Sequence, residues 1–149
     1  MNDIIQVITG AVGSVGFGLI FNLRKKYILQ AAAGGFLSWS IYLLCSHYVR
    51  SGIFLPTLAA SFGTAIYTEI LARVCKAPST IFFITSVIPL IPGKTLYYCM
   101  NAIVLNDYAG ARQYGSVTFL YSVAIAAGMT MAWVLCDFSR KVHRQLRWR

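Results

Sequence analysis

A chain of 149 residues that is 58% hydrophobic and only 11% charged, with a mean hydropathy of +0.66, is too apolar for a water-soluble domain, in which about a quarter of the residues carry charge. The composition defines a polytopic membrane protein. The net charge of +9 does not point to nucleic acid, because the basic residues gather at the ends of apolar runs instead of covering a soluble face. That distribution is the one that orients membrane proteins. Cys45, Cys75, Cys99 and Cys136 lie within or beside apolar runs at no metal or redox spacing, and read as small apolar fillers. His47 and His143 are single and read as interface residues, so no metal or cofactor is expected.

A spanning helix needs about 20 mostly apolar residues, and five segments qualify. The first covers Ile4 to Leu23; Asp3 opens it and no basic stretch precedes it, so it reads as a retained span and not a signal peptide. Gly10, Ser14 and Gly18 recur on it every fourth residue as a smooth stripe for close helix approach. Arg24-Lys25-Lys26 then ends the span. The second runs from Ile28 to Tyr48, with Ala31 and Gly35 on a small face and Trp39 and Tyr42 on it or beside it; Arg50, Ser51 and Gly52 form the next turn.

The third span, Ile53 to Val74, carries Ser61, Ala65, Glu69 and Arg73 at i, i+4, i+8 and i+12, a small and polar stripe that ends in an acid–base pair. Glu69 is the one carboxylate well inside a span, which makes it a candidate for proton coupling or gating with Arg73. The plainer alternative is an interfacial ion pair that only orients the helix.

Lys76-Ala77-Pro78 turns the chain into a fourth span, Ser79 to Leu105, interrupted at Pro89-Leu90-Ile91-Pro92-Gly93. Pro89 has no N–H for the carbonyl of Thr85, and Pro92 has none for that of Ile88. Broken backbone in a bilayer is tolerated where it is buried in protein or lines a polar cavity, as in the interrupted helices of transporters; a proline kink is the alternative. The break falls about 15 Å in from the start of the span. Beyond it the free N–H groups of Gly93, Lys94 and Thr95, the positive dipole end and the Lys94 ammonium together make an anion site. Tyr97, Tyr98 and Asn101 are candidates for further hydroxyl and amide contacts, or for packing.

Asn106 to Arg112 reads as a polar loop, and the fifth span as Val117 to Asp137, with Ala124, Gly128 and Ala132 as another small stripe. Residues 138–149 form a basic tail with Arg140, Lys141, Arg144, Arg147 and Arg149, expected to anchor on anionic lipid headgroups. With five alternating spans, Arg24, Lys25, Lys26, Arg73, Lys76 and the tail share one side, while Arg50 and Arg112 fall on the other. The N-terminus is then outside and the C-terminus cytoplasmic. The expected fold is all-α, a single five-helix membrane domain over residues 1–149.

These motifs together resemble the threonine/serine exporter family, in particular its short C-terminal-type half found as a separate small subunit. The resemblance rests on Val15-Gly16-Phe17-Gly18 with Phe21-Asn22, on Glu69-Ile70-Leu71-Ala72-Arg73 with Lys76-Ala77-Pro78, and on Ile88-Pro89-Leu90-Ile91-Pro92-Gly93 with Tyr97-Tyr98. Order and spacing match along roughly the whole chain, with one departure: relatives often carry only small residues directly after the Pro-Gly, where this chain has Lys94. The resemblance implies an exporter of threonine, serine or a dicarboxylate such as succinate, in a bacterial inner membrane. It also implies a larger partner subunit, related as an inverted repeat. On this basis the substrate carboxylate docks on Gly93–Thr95 beside Lys94, and the carbonyls of Thr85 and Ile88 accept from its ammonium or hydroxyl. A non-transporting subunit that stabilises or regulates a membrane partner is the competing expectation. An enzyme is not expected, because no Ser/His, paired-aspartate or His/Glu metal constellation falls within the spans.

Overall fold

Small residues decide how these helices meet. The computed structural model describes residues 3–49 and 52–146, with side chains through Lys141. Arg50, Ser51, Arg147 and Arg149, and the side chains of His143 and Arg144, lie outside the described residues. Six α-helices follow one another: α1 (Asp3–Ile20), α2 (Ile28–Tyr48), α3 (Phe54–Cys75), α4 (Ser79–Val87), α5 (Gly93–Val104) and α6 (Tyr108–Leu146). Four of them are long and apolar enough to cross a membrane, and the bent pair α4–α5 makes a fifth if its halves count as one span. The fold is therefore an all-helical membrane bundle.

The distribution of residues inverts that of a soluble core. Ile4, Leu29, Val74 and Phe119 are among many large apolar side chains that face outward, while serine, threonine, alanine and glycine fill the interior. Without a hydrophobic drive between helices in lipid, small side chains that let backbones touch supply the packing. The stripe Gly10, Ser14, Gly18 on α1 is buried, as is the face Ala31, Gly34, Gly35, Ser38 on α2. A Cβ on Gly35 would overlap the Ser14 hydroxyl, one on Gly34 that of Ser86, and one on Gly128 that of Ser61. So α1 meets α2, α2 meets α4, and α3 meets α6, each through a glycine seated on a serine.

Helix α3 lies in the middle, against α2, α4 and α6. Its buried face carries Thr57, Ser61, Thr64, Thr68 and Glu69. The threonine hydroxyls turn back on their own helix: Thr57 donates to the Ile53 carbonyl at 2.8 Å, Thr64 to Ala60 at 2.7 Å and Thr68 to Ala65 at 2.9 Å. The buried threonines of α3 are thus satisfied by their own backbone, whereas the buried Ser14, Ser38 and Ser86 hydroxyls, on α1, α2 and α4, find no partner among the described residues.

Three helices end in left-handed caps on residues other than glycine: Asn22 (φ 54°), Lys76 (φ 49°) and Asn106 (φ 58°). At each, the next N–H reaches back five residues, Leu23 to Gly18 (2.8 Å), Ala77 to Ala72 (3.1 Å) and Asp107 to Ala102 (2.8 Å). Asparagine tolerates this conformation; lysine does so at a cost that glycine avoids.

Two expectations are corrected at the far end of the chain. The polar loop expected over Asn106 to Arg112 ends early, because Asp107 caps α6, its Oδ1 accepting from the Gly110 N–H at 3.0 Å. The helix also outruns Asp137, carrying residues of the expected tail to Leu146 with a Lys141–Asp137 ion pair (3.2 Å) one turn apart. At 39 residues α6 is about 58 Å long, well beyond a hydrocarbon core of about 30 Å. Its first turns and α5 form a hairpin, and α5 has no comparable interface with any other helix among the described residues.

Replacing Gly128 by leucine is expected to lower stability by about 1–3 kcal/mol through overpacking against Ser61 and the Leu58 carbonyl. Gly16→Leu, where a Cβ meets nothing within 4 Å, is the control. Thermal unfolding in detergent, compared between the two variants, measures the difference.

Candidate functional site

The backbone between α4 and α5 is interrupted where two prolines withhold donors. Ile88–Leu90 form a single 3₁₀ turn, Ile91 is extended, and α5 starts at Gly93 with its axis bent 61° from that of the preceding segment. Gly93 lies roughly 20 Å along the chain axis from the start of α4.

The hydrogen bonds here differ from the expected set in two places. The Ile88 carbonyl is not stranded, because the extended turn brings the Ile91 N–H onto it at 3.0 Å. The Gly93 N–H is not free, because it donates to the Ile91 carbonyl at 2.8 Å. Leu96 N–H and the Thr95 hydroxyl both donate to the Pro92 carbonyl, each at 3.1 Å. The N–H groups of Lys94 and Thr95 make no hydrogen bond among the described residues.

The candidate side chains divide between two faces of α5 and a third place. Thr95 accepts from the Thr118 hydroxyl at 2.9 Å, and Tyr98 stacks on Tyr114 with ring centroids 5.4 Å apart, so both face α6. Lys94, Tyr97 and Asn101 are exposed on the other face of α5, at the i, i+3 and i+7 spacing of one stripe. The Lys94 ammonium lies 6.0 Å from the centroid of the Tyr98 ring. Pro89 is half-buried at the turn, and Thr85 is buried on α4 with its hydroxyl donating to the Phe82 carbonyl at 3.0 Å. Thr85 therefore does not join the α5 residues around one hollow.

Glu69 forms a second centre. Its Oε1 accepts from the Trp133 indole N–H at 3.1 Å, and its Oε2 is paired with the Arg140 guanidinium. The carboxylate is 6% exposed while Arg140 is 52% exposed, so the pair seals the acid at the foot of α3. This replaces the expected Glu69–Arg73 pair: Arg73 is exposed and only shares with Glu69, Ser79 and Arg140 the rim of a depression of about 440 Å³. It also takes Arg140 out of the expected role of headgroup anchor. A second depression of about 580 Å³ opens beside the same acid, between Ser79, Trp133, Asp137 and Lys141. Arg24 and Lys76 border one further cleft, and Arg73 and Arg140 the first depression, which also reaches Ala77. The basic residues that ended separate spans in the sequence therefore stand at one end of the bundle. No three side chains of His, Cys, Asp or Glu converge among the described residues.

A multi-pass helical bundle with an interrupted helix and a buried, paired acid is a polytopic membrane protein by its architecture. The comparisons make this specific: the profile described as Threonine/Serine exporter, ThrE, matches residues 6–135. The chain belongs to the threonine/serine exporter family, a family of membrane exporters. No solved structure matches it.

Arg140→Ala leaves Glu69 with the Trp133 N–H alone and is expected to destabilise the bundle by about 1–3 kcal/mol. Arg73→Ala is expected to cost less than half as much. Equal losses for the two variants in thermal unfolding would reject the assigned pairing.

Proposed function

We propose that this chain is one half of an exporter of small polar metabolites, threonine or serine or a dicarboxylate such as succinate, driven by an ion or proton gradient. A larger membrane subunit of the same family completes the site, with the N-terminus of this chain outside and its C-terminus in the cytoplasm of a bacterial cell. The observation that carries the proposal is the exposed stripe Lys94, Tyr97, Asn101 on a helix whose other face is already taken by α6. An ammonium and an amide left against lipid are costly, and such residues face protein or a wetted cavity instead. Covering that face with a related half encloses the open N–H groups of Lys94 and Thr95, the helix dipole and the Lys94 ammonium in one space. A carboxylate fits there; Tyr97 and Asn101 remain for the substrate's hydroxyl or ammonium.

Glu69 serves this site as the coupling group or gate. Release of Arg140 from the acid frees α6 from the foot of α3, and proton uptake by the carboxylate is one way to weaken that hold.

Reconstitution with the larger half tests both roles. Pro92→Ala/Gly93→Ala is expected to abolish flux of threonine, serine or succinate at unchanged yield of the complex. Lys94→Gln is expected to raise the half-saturating substrate concentration about tenfold, the loss of one charge-assisted contact. Flux that falls only in proportion to complex yield would identify a stabilising subunit instead. Glu69→Gln is expected to flatten the pH dependence of flux; retention of that dependence would exclude a proton role.

A further inference from the structure

One cleft of the described bundle belongs to neither centre. It measures about 640 Å³ and lies between the C-terminal ends of α1 and α3 and the flank of α4. Asn22, Arg24 and Lys76 stand at its mouth, Phe21, Ile81 and Ile84 form apolar walls, and no acidic residue lines it. We propose that this cleft binds an anionic phospholipid, with the phosphate held between Arg24 and Lys76 and the upper part of an acyl chain laid along Phe21, Ile81 and Ile84.

Charge supports this occupant first. Neither Arg24 nor Lys76 is in an ion pair among the described residues, and the two cations share one cavity without a counter-charge. The helix ends do not account for them. At both ends the left-handed cap already returns an N–H to the last turn, from Leu23 to Gly18 and from Ala77 to Ala72. Lys76 moreover occupies a positive-φ position where glycine is the relaxed choice, so its ammonium is brought to the mouth against backbone preference.

The shape selects a lipid over a soluble anion. From Pro78 to Ile84 the wall descends about 9 Å along α4, and Phe21, Ile81 and Ile84 are 56%, 39% and 47% exposed, so it opens sideways toward the acyl region. An amino acid or dicarboxylate finds at that depth only the Tyr27 and Thr85 hydroxyls, whose protons are already donated to the Cys75 and Phe82 carbonyls, and free phosphate uses the mouth alone. Basic pockets between spans at a membrane surface recognise lipid headgroups in this way.

The test uses the full chain in phosphatidylcholine bilayers with and without phosphatidylglycerol, and reads lipid retained by the extracted protein in native mass spectrometry. Phosphatidylglycerol is expected to be retained in preference to phosphatidylcholine. The variant Arg24→Gln/Lys76→Gly is expected to bind it roughly thirtyfold more weakly, as befits the loss of two surface cations. Its unfolding temperature without phosphatidylglycerol should be no lower than wild type, since glycine relaxes the cap. Lys25→Gln/Lys26→Gln removes the same charge from residues that do not line the cleft and should retain the lipid. Equal retention of the two lipids, undiminished binding by the first variant, or equal loss in the second would overturn the proposal. Complete displacement by inorganic phosphate would do the same, by showing a site for a free anion. Each readout is independent of transport.

Discussion

The bundle depends on contact between glycine and serine at backbone distance. Gly34 and Gly35 are neighbours on α2, yet one receives Ser86 from α4 and the other Ser14 from α1, so two interfaces meet on a single peptide unit. Because these contacts are made by the smallest side chains, the helices sit close enough for dispersion and weak Cα–H···O attraction to hold them. The same closeness excludes lipid from the hydroxyls of α3. It also leaves the large apolar side chains nowhere to go but outward, which in a bilayer is their favourable place.

Against that close-packed body, the hairpin of α5 and the first turns of α6 stands out. α4 is gripped by α1, α2 and α3, whereas α5 has a comparable interface only with α6 among the described residues. The change of partner falls at the two prolines, where the ladder of N–H donors is broken anyway. A chain that must swing by 61° does so most cheaply where hydrogen bonds are already missing. The turn is nevertheless economical: Ile88 and Ile91 carbonyls both find donors within three residues. The N–H groups that remain open are on the α5 side of the break, at Lys94 and Thr95.

Much of this was legible from residue order. Small stripes at four-residue spacing located the buried faces of α1 and α6, since in lipid a close-packed face requires small residues at that period. The position of the interruption followed from Pro89 and Pro92, whose missing donors act locally. The partners of Glu69 were not legible: Trp133 and Arg140 stand 64 and 71 residues away, and the nearer Arg73 satisfied the helical spacing without meeting the acid. Local period says which residues share a face, not which helix arrives there. Asp107 was a missed signal of another kind. An aspartate three residues before Gly110 is a good cap, but Tyr-Ala-Gly-Ala-Arg is too mixed in polarity to read as a helix start without the hydrogen bond in view. Ile88 illustrates the limit of donor counting: a proline removes one partner, and a turn supplies another.

The unbroken length of α6 places a residue at each of the two centres. Thr118, which meets Thr95 beside the break, and Arg140, which holds Glu69, are carried on one helix about 33 Å apart. Between them Gly128 rests on Ser61 with almost no side chain at the crossing. A seesaw has this construction. Were this rod to tilt about Gly128, its two ends would move in opposite senses, Arg140 at the acid against Thr118 at the prolines.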